Sequence, residues 1–303
     1  MKLIALLSCL PLVAGCASDD STGADSGGAS ATDDSLHGGV VVSFVPPADG
    51  LDGYATLIGR FLDGPTPQAR ALELDSEIGD CQLLVPIIPF CSTPCAPDVC
   101  TADEVCTKYP TPRSVGTLTV DGLGSPLTLE PASSMIVYQS PSLPYPPCAE
   151  GSTVSAAADG LKLEAECIAP LELTGPDPIP VTSGEVVSVS WVAPTSSTTS
   201  RIQIGLDISH HGGQKGEIKC NVPDTGSFDI PEPLVTKLVS LGLAGYPTIS
   251  VNRLSTGVAA GHPHVELVLT AGVTRAVDTG VTSCQENDQC ADGQMCLPER
   301  ICG

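Results

Sequence analysis

The sequence has few aromatic residues and few basic ones. Phe, Trp and Tyr make up 3% of the 303 residues, so any core within the 42% hydrophobic fraction has to be built from aliphatic side chains. Lys and Arg total 13 against 35 Asp and Glu, which gives a formal net charge of −22. Because phosphate backbones repel a chain this acidic, nucleic acid is excluded as a partner.

The common catalytic motifs are missing too. The chain contains no Gly-x-Ser-x-Gly elbow, no His-Glu-x-x-His, no Walker loop and no Rossmann glycine pattern, which counts against the common hydrolases, metallopeptidases and nucleotide-dependent enzymes. The triplet Asp-Thr-Gly, which aspartic peptidases carry once in each half, begins at Asp224 and again at Asp278. These positions are too close for two half-barrels, so we expect turns and assign no catalytic residue.

Gly and Pro are abundant, at 31 and 28 residues, and they favour short strands and turns over helices. One amphipathic helix is expected near 232–243, with Leu234, Leu238 and Leu241 on one face. The run 81–88 contains Pro86 and predicts an edge strand. Alternating or β-branched runs predict the other strands at 40–44, 54–62, 116–120, 135–139, 161–167, 186–192, 202–208, 217–222, 248–254 and 264–270.

The predicted fold class is therefore mainly β, with one or two β-sandwich domains. The segment VSVSWVAP (187–194), followed by RIQIGLDI, resembles the early strands of immunoglobulin-like and fibronectin type III sandwiches. The resemblance implies that Trp191 belongs to the core, whereas a ligand platform is the alternative. The helix near 232–243 departs from the pattern of those folds. We expect a strand-rich region at 38–175 and an immunoglobulin-like sandwich at 176–283, and the two regions could share one core.

The amino terminus predicts an anchor. Residues 3–13 are apolar but too short to span a bilayer, which takes about 20 residues, so 1–15 is expected to be a signal peptide. The sequence Val13-Ala14-Gly15-Cys16 resembles the bacterial lipobox, which implies lipidation of Cys16. Ala17-Ser18, in place of Asp directly after the cysteine, implies the outer membrane. Residues 16–37 then comprise the lipidated cysteine and a disordered acidic tether.

The 14 cysteines indicate an oxidising compartment. With Cys9 in the signal peptide and Cys16 lipidated, an even number remains. Two clusters, one within 81–106 and one at 284–303, resemble the cysteine-rich modules of secreted proteins. The resemblance implies first-to-third and second-to-fourth disulfides, which pair Cys91 with Cys100, Cys95 with Cys106, Cys284 with Cys296 and Cys290 with Cys302. The four scattered cysteines are expected to tie strands: Cys81, Cys148, Cys167 and Cys220.

Histidine offers a weak metal candidate. His210 and His211 lie in a predicted hairpin loop, and His262 and His264 share one face at a strand start. Four imidazoles would bind zinc or copper if the two loops met. Otherwise they are solvated loop residues, and no metal or other cofactor is expected.

These features predict a non-enzymatic protein of the bacterial cell envelope. It would be held at the membrane by lipid and present a disulfide-stabilised β-sandwich for binding or for a structural role. The partner would be an envelope protein, an extracellular protein or a glycan. The alternatives are a lipid-anchored hydrolase with an unfamiliar site, a histidine-based metal-binding lipoprotein and a peptidase inhibitor.

Overall fold

Nineteen strands and one α-helix make up the described part of the chain, which in this computed structural model covers residues 35–47, 50–67, 71–132, 135–211, 213 and 215–303. The expected signal peptide, most of the tether and Cys16 lie outside these residues. A short 3₁₀ helix also spans Asn287–Gln289. The elements are β1 His37–Val45, β2 Tyr54–Leu62, β3 Ala71–Ile78, β4 Cys81–Ile87, β5 Val99–Cys100, β6 Cys106–Thr107, β7 Leu118–Asp121, β8 Leu127–Leu129, β9 Val137–Gln139, β10 Thr153–Ala158, β11 Leu161–Glu166, β12 Leu173–Thr174, β13 Ile179–Pro180, β14 Val187–Trp191, β15 Arg201–Asp207, β16 Glu217–Pro223, β17 Ser227–Ile230, α1 Glu232–Ser240, β18 Thr248–Ala259 and β19 His262–Asp278.

A ten-stranded sheet, called the large sheet below, organises the described chain. Its order is β3-β4-β16-β15-β18-β19-β1-β2-β9, with β13 pairing beside β19. The β1–β19 and β13–β19 pairs are parallel and the others antiparallel. The expected boundary near residue 175 does not divide this sheet, because the four strands of the path from beyond it (β16, β15, β18 and β19) lie between β3-β4 and β1-β2-β9 from before it. A single cluster of buried side chains likewise runs from Val40 to Val277.

The two faces of the large sheet differ in chemistry. In β15, Ile202, Ile204 and Leu206 are buried, while Gln203 between them is exposed. This alternation gives the sheet one apolar inner face and one wet outer face. The inner face is covered by a four-stranded cover sheet (β11-β10-β7-β8), by a third sheet (β12-β14-β17) and by α1. The predicted mainly β sandwich architecture is confirmed.

Close contact between the sheets depends on glycine. A Cβ atom at Gly257 of β18 would overlap the backbone carbonyl of Glu164 in β11. At Gly59 of β2, a Cβ would press on Tyr138 at 3.1 Å and on Leu118 of the cover sheet at 3.4 Å. Because glycine has no Cβ, the backbones of β18 and β11 can approach this closely, and Gly59 leaves room for the side chains of Leu118 and of its own cross-strand neighbour Tyr138.

The predicted elements are largely present, with some changes in extent. The helix expected at 232–243 is found at Glu232–Ser240, with Leu234, Val235 and Leu238 buried. Strands β18 and β19 extend far beyond the predicted 248–254 and 264–270, because each continues through a long antiparallel ladder with the other.

The prediction that 81–88 forms an edge strand is wrong. Strand β4 lies between β3 and β16. Its Cys81–Leu84 portion pairs with β16, whereas Pro86 lies beyond that stretch and pairs only with Leu72 of β3. Since no β16 residue faces Pro86, the missing N–H leaves no gap in that ladder.

All twelve cysteines in the described residues form disulfides. Cys91–Cys100, Cys95–Cys106, Cys284–Cys296 and Cys290–Cys302 have the first-to-third and second-to-fourth pattern that the resemblance implied. Cys81–Cys220 joins directly opposed residues of β4 and β16, with the Cα atoms 4.1 Å apart. Cys148–Cys167 connects the segment before β10 to the end of β11. Covalent links therefore reinforce both the large sheet and the cover sheet.

A buried ion pair links the layers. The side chain of Arg253, in β18, is 0% exposed and that of Asp224 is 3% exposed. Arg253 Nε donates to Asp224 Oδ2 at 2.6 Å, and a terminal nitrogen donates to Oδ1 at 3.0 Å. The remaining donors of the guanidinium reach the carbonyls of Ala169, Pro170 and Val192. Every nitrogen of this buried cation is therefore satisfied.

We predict that Asp224→Ala destabilises the fold by about 3–5 kcal/mol, since it leaves a buried guanidinium without its carboxylate. Asp278→Ala is the matched control, because Asp278 begins the second copy of the Asp-Thr-Gly triplet. It is exposed, and its carboxylate accepts a hydrogen bond only from the Gly280 amide, at 2.9 Å. The control is expected to change stability by no more than about 0.5 kcal/mol. Chemical denaturation followed by circular dichroism measures both values. Equal losses for the two variants would contradict the structural role of Asp224.

Candidate functional site

A groove of about 620 Å³ lies on the outer face of the large sheet. It crosses β18, β15, β16 and β4 and reaches the turn after β3. Two of its lining residues, Ile204 and Cys220, are buried towards the core. The side chains that face the groove are consequently polar or charged.

Register places these side chains in two rows. Asn252, Gln203 and Asn221 are direct cross-strand neighbours on β18, β15 and β16. The second row runs two residues further along the strands and consists of Ser250, Gly205, Lys219 and Gln82. Neighbours within a row are about 4.8 Å apart and the rows are about 6.8 Å apart. The groove thus presents a regular grid of hydrogen-bonding groups.

Gly205 forms the depression in the second row. Because this residue has no side chain, the floor of the groove drops to the backbone between Ser250 and Lys219. A Cβ atom at Gly205 would lie 2.8 Å from the Ser250 hydroxyl oxygen. The groove is therefore shaped by the lack of one side chain on an interior strand.

Several polar groups in the groove are unengaged. Within the described residues, the side-chain amides of Gln82, Gln203 and Asn252 make no hydrogen bond. Arg201 is fixed differently, since its Nε donates to the Asn221 side-chain oxygen at 2.8 Å. Lys219 is paired with Glu217 at 2.7 Å. The free amides are consequently available to a ligand, while both cations are already held by protein groups.

The charges that line the groove balance. Glu77 and Asp80 lie at one end, and Arg201 and Lys219 contribute the same number of positive charges. Glu217, which pairs with Lys219 at 2.7 Å, adds a further carboxylate beside the lining, so the groove has no excess of positive charge. This arrangement can bind a polar, uncharged molecule through hydrogen bonds, whereas it has no excess positive charge with which to hold a polyanion.

A second polar feature is the loop 195–199, which is held by two glutamates. Glu150 accepts hydrogen bonds from the backbone amides of Thr195, Ser196 and Ser197. The Ser196 amide above all lowers the pKa of Glu150 to about 2. The carboxylate therefore stays ionised at neutral pH and serves to position the loop.

Glu166 holds the other end of the same loop. It accepts bonds from the backbone amides and hydroxyls of Thr198 and Thr199. Burial raises the pKa of Glu166, but these hydrogen bonds outweigh that effect and the pKa is lowered. Neither glutamate is thus a proton donor at neutral pH, as a general acid would have to be.

The structure does not bring together the two histidine pairs that were weak metal candidates. The carbonyl of His210 accepts a bond from the Tyr246 amide just before β18, whereas His262 pairs with Ala259 at the far end of that strand. The 12 residues of β18 extend about 40 Å at roughly 3.3 Å per residue, which separates the two histidine pairs. His264 instead stacks on His37 of the parallel neighbour β1, with ring centroids 4.4 Å apart. His210 and His211 contact only each other among the described rings, at 4.1 Å.

The other sequence candidates have structural roles. Trp191 is 3% exposed, and its indole N–H donates to Asp224 at 2.7 Å, so it belongs to the core. Asp224 also accepts a bond from the Ser200 hydroxyl at 2.8 Å. Potential metal-ligand groups converge, within the described residues, only among cysteines that are already in disulfides. Oxidised sulfurs are not thiolate ligands.

The sequence analysis missed the groove. The only local signal is that Gln203 and Asn252 carry amides between residues that belong to the buried face, Ile202 and Ile204 in β15 and Val251 and Arg253 in β18. Nothing in one sequence states that these two strands are neighbours or which residues face each other. The groove becomes visible only with the register.

Comparisons with known proteins do not show a family for this chain. No family model matches it, and no curated protein matches it significantly. Among solved structures, the FN1–FN3 domains of chicken CNTN1 match over 74% of this chain and 72% of that chain, with 11% identity and a TM-score of 0.20. A similarity this low does not support an inference about the fold or the function of this chain. No helix within the described residues is long and apolar enough to cross a membrane.

We predict that the carboxyl of Glu150 titrates with a midpoint near 2, well below the ordinary value of 4.5. Because this pKa is lowered in the folded state, its stabilisation is complete above pH 4.5 and is lost as the pH falls towards 2. Carboxyl-carbon NMR titration measures the midpoint, and acid unfolding measures its effect on stability.

Glu150→Gln should remove that part of the acid dependence of stability. Glu164→Gln is the control, because Glu164 is exposed and its carboxylate pairs with Lys162 at 2.9 Å, away from the 195–199 loop. A wild-type midpoint close to the ordinary value would overturn the assignment of Glu150 as the anchor of the loop.

Proposed function

We propose that this chain is a non-enzymatic, lipid-anchored protein of the bacterial cell envelope that presents its β-sandwich for binding. The observation that carries the binding role is the groove on the open face of the large sheet, with the free amides of Gln82, Gln203 and Asn252. Interior strands hold these side chains, and sites on such strands are positioned more accurately than sites on loops.

The groups that might have served a catalyst are occupied elsewhere. Asp224 is engaged by Arg253, Trp191 and Ser200, and Glu150 and Glu166 position a loop. General acid–base catalysis needs a titratable group aimed at a reactant. These contacts support a binding role over the hydrolase alternative.

Cysteine usage supports the proposed location. All twelve cysteines of the described residues are oxidised, as is typical of proteins outside the cytoplasm. The described part of the chain therefore uses its cysteines in pairs. This leaves Cys16 of the lipobox-like sequence available for lipid. The Ala17-Ser18 pair that follows favours the outer membrane as the destination.

We predict that Cys16→Ser abolishes acylation of the full chain expressed in a Gram-negative host. Metabolic labelling with an alkyne fatty acid should mark the wild type and leave the variant unmarked, and fractionation should move the variant out of the membrane. Cys9→Ser is the matched control, because it lies within the expected signal peptide and should not affect labelling. Equal labelling of Cys16→Ser and the wild type would rule out the anchor.

We also predict that the purified full chain is retained saturably on isolated cell envelopes. Gly205→Val should reduce this retention, because its side chain would fill the floor of the groove. Thr256→Val, at an exposed β18 position outside the groove, should leave retention unchanged. Cosedimentation over a range of protein concentrations measures both. Retention that is not saturable, or that both variants lower equally, would contradict the binding role.

A further inference from the structure

The groove cannot bind a ligand by extending the sheet. Strands β4, β16, β15 and β18 are all interior, and each is paired with a neighbour on both sides. Their backbone groups are consumed by these ladders at the groove. An added peptide strand needs an exposed edge with free N–H and C=O groups. A ligand in this groove is consequently recognised by side chains alone.

The groove also has no apolar pocket. The aliphatic lining residue Ile204 is 2% exposed and Cys220 is 3% exposed, since both point into the core. Bound peptides are anchored by side chains in such pockets, and acyl chains need continuous apolar surface. This groove offers neither, which counts against a peptide and against a lipid tail.

What the groove does offer is closely spaced amide and hydroxyl groups. Each free amide provides two N–H donors and a carbonyl oxygen with two lone pairs, and the Ser250 hydroxyl, which donates to the Gly205 carbonyl at 3.4 Å, can accept. Neighbouring hydroxyls on a sugar ring need the same mixture, because each is itself both donor and acceptor. The rows extend across four strands from Ser250 to Gln82, a distance of about 14 Å at a strand spacing of about 4.8 Å.

The charge pattern selects against anionic polymers. The two bases of the groove are matched in number by its two acids, and they are already bound, Lys219 to the further carboxylate of Glu217 and Arg201 to Asn221. A polyanion would also be repelled by the chain as a whole, because its net charge is −22. An uncharged, hydroxyl-rich polymer meets none of these penalties.

We infer that the groove binds a neutral oligosaccharide, whose rings lie across β18, β15, β16 and β4 and whose hydroxyls bond to Asn252, Gln203 and Gln82. The inference rests on the binding function proposed above and names the ligand class of the same site. Gly205 makes room for a ring at the centre of the groove. The free amides then supply the hydrogen bonds that set its orientation.

The test uses fluorescently labelled oligosaccharides of N-acetylglucosamine, of β-linked glucose and of mannose as neutral probes, with an oligogalacturonate as the anionic probe. Fluorescence anisotropy with the purified full chain should show saturable binding of at least one neutral probe, unaffected by added salt. Gly205→Val should abolish this binding. Gln203→Ala and Asn252→Ala should each weaken it about tenfold, which is the cost of one or two good hydrogen bonds.

Two controls distinguish loss of the groove from other effects of the substitutions. Thr256→Val lies on the same face but outside the groove and should bind like the wild type. Thermal unfolding of every variant separates loss of binding from loss of fold. If Gly205→Val does not fold, Gln203→Ala and Asn252→Ala still carry the test, because they remove side chains without adding volume.

The inference is overturned if no neutral probe binds, if only the anionic probe binds and salt removes it, or if binding survives the groove variants. Its failure is distinguishable from failure of the proposed function. Envelope retention that Gly205→Val removes, in the absence of any neutral oligosaccharide binding, would leave the binding role in place and refute the ligand class alone. Loss of saturable retention as well would refute both.

Discussion

The arrangement of this fold depends on one buried charge. Arg253 extends from an interior strand into the core, where a lone guanidinium would carry a large desolvation penalty. The penalty is offset because Asp224 binds the guanidinium through two oxygens and three backbone carbonyls take its other donors. Those partners come from the segments 169–170, 192 and 224, which are distant in sequence. Satisfying one cation therefore fixes where these loops lie against the large sheet.

The same strand shapes the outer surface. In β18, Arg253 faces inward and its neighbour Asn252 faces outward into the groove. Because the inner side chain is held by five contacts, the strand that carries the outer one has little freedom to shift. The Cys81–Cys220 disulfide acts similarly at the other side of the groove, where it joins β4 to β16. The groove is thus framed by a buried ion pair and by a covalent bond.

Local patterns predicted much of this fold, and long-range ones did not. Alternation in 202–208 and 217–222 predicted the β15–β16 hairpin, because both faces and the turn are local. The helix was predicted from Leu234, Leu238 and Leu241 for the same reason, although Leu241 lies beyond its end and is exposed. Burial of Arg253 could not be predicted, since a charged residue in an alternating strand is normally assigned to the wet face. The groove was missed because its four strands meet in the order β4-β16-β15-β18, which is not sequence order.

The charged edge of the large sheet at β3 is one reason why recognition is assigned to the face of the sheet. The outer edge strand β3 carries Glu73, Asp75 and Glu77, and Asp75 is paired with Lys237 of α1 at 3.0 Å. Charged residues on an edge strand oppose the addition of another strand. With that edge blocked and the inner face covered, the open face is the broad surface of this sheet left for a partner. On that face the free amides converge in the one place where Gly205 leaves room for them to be reached.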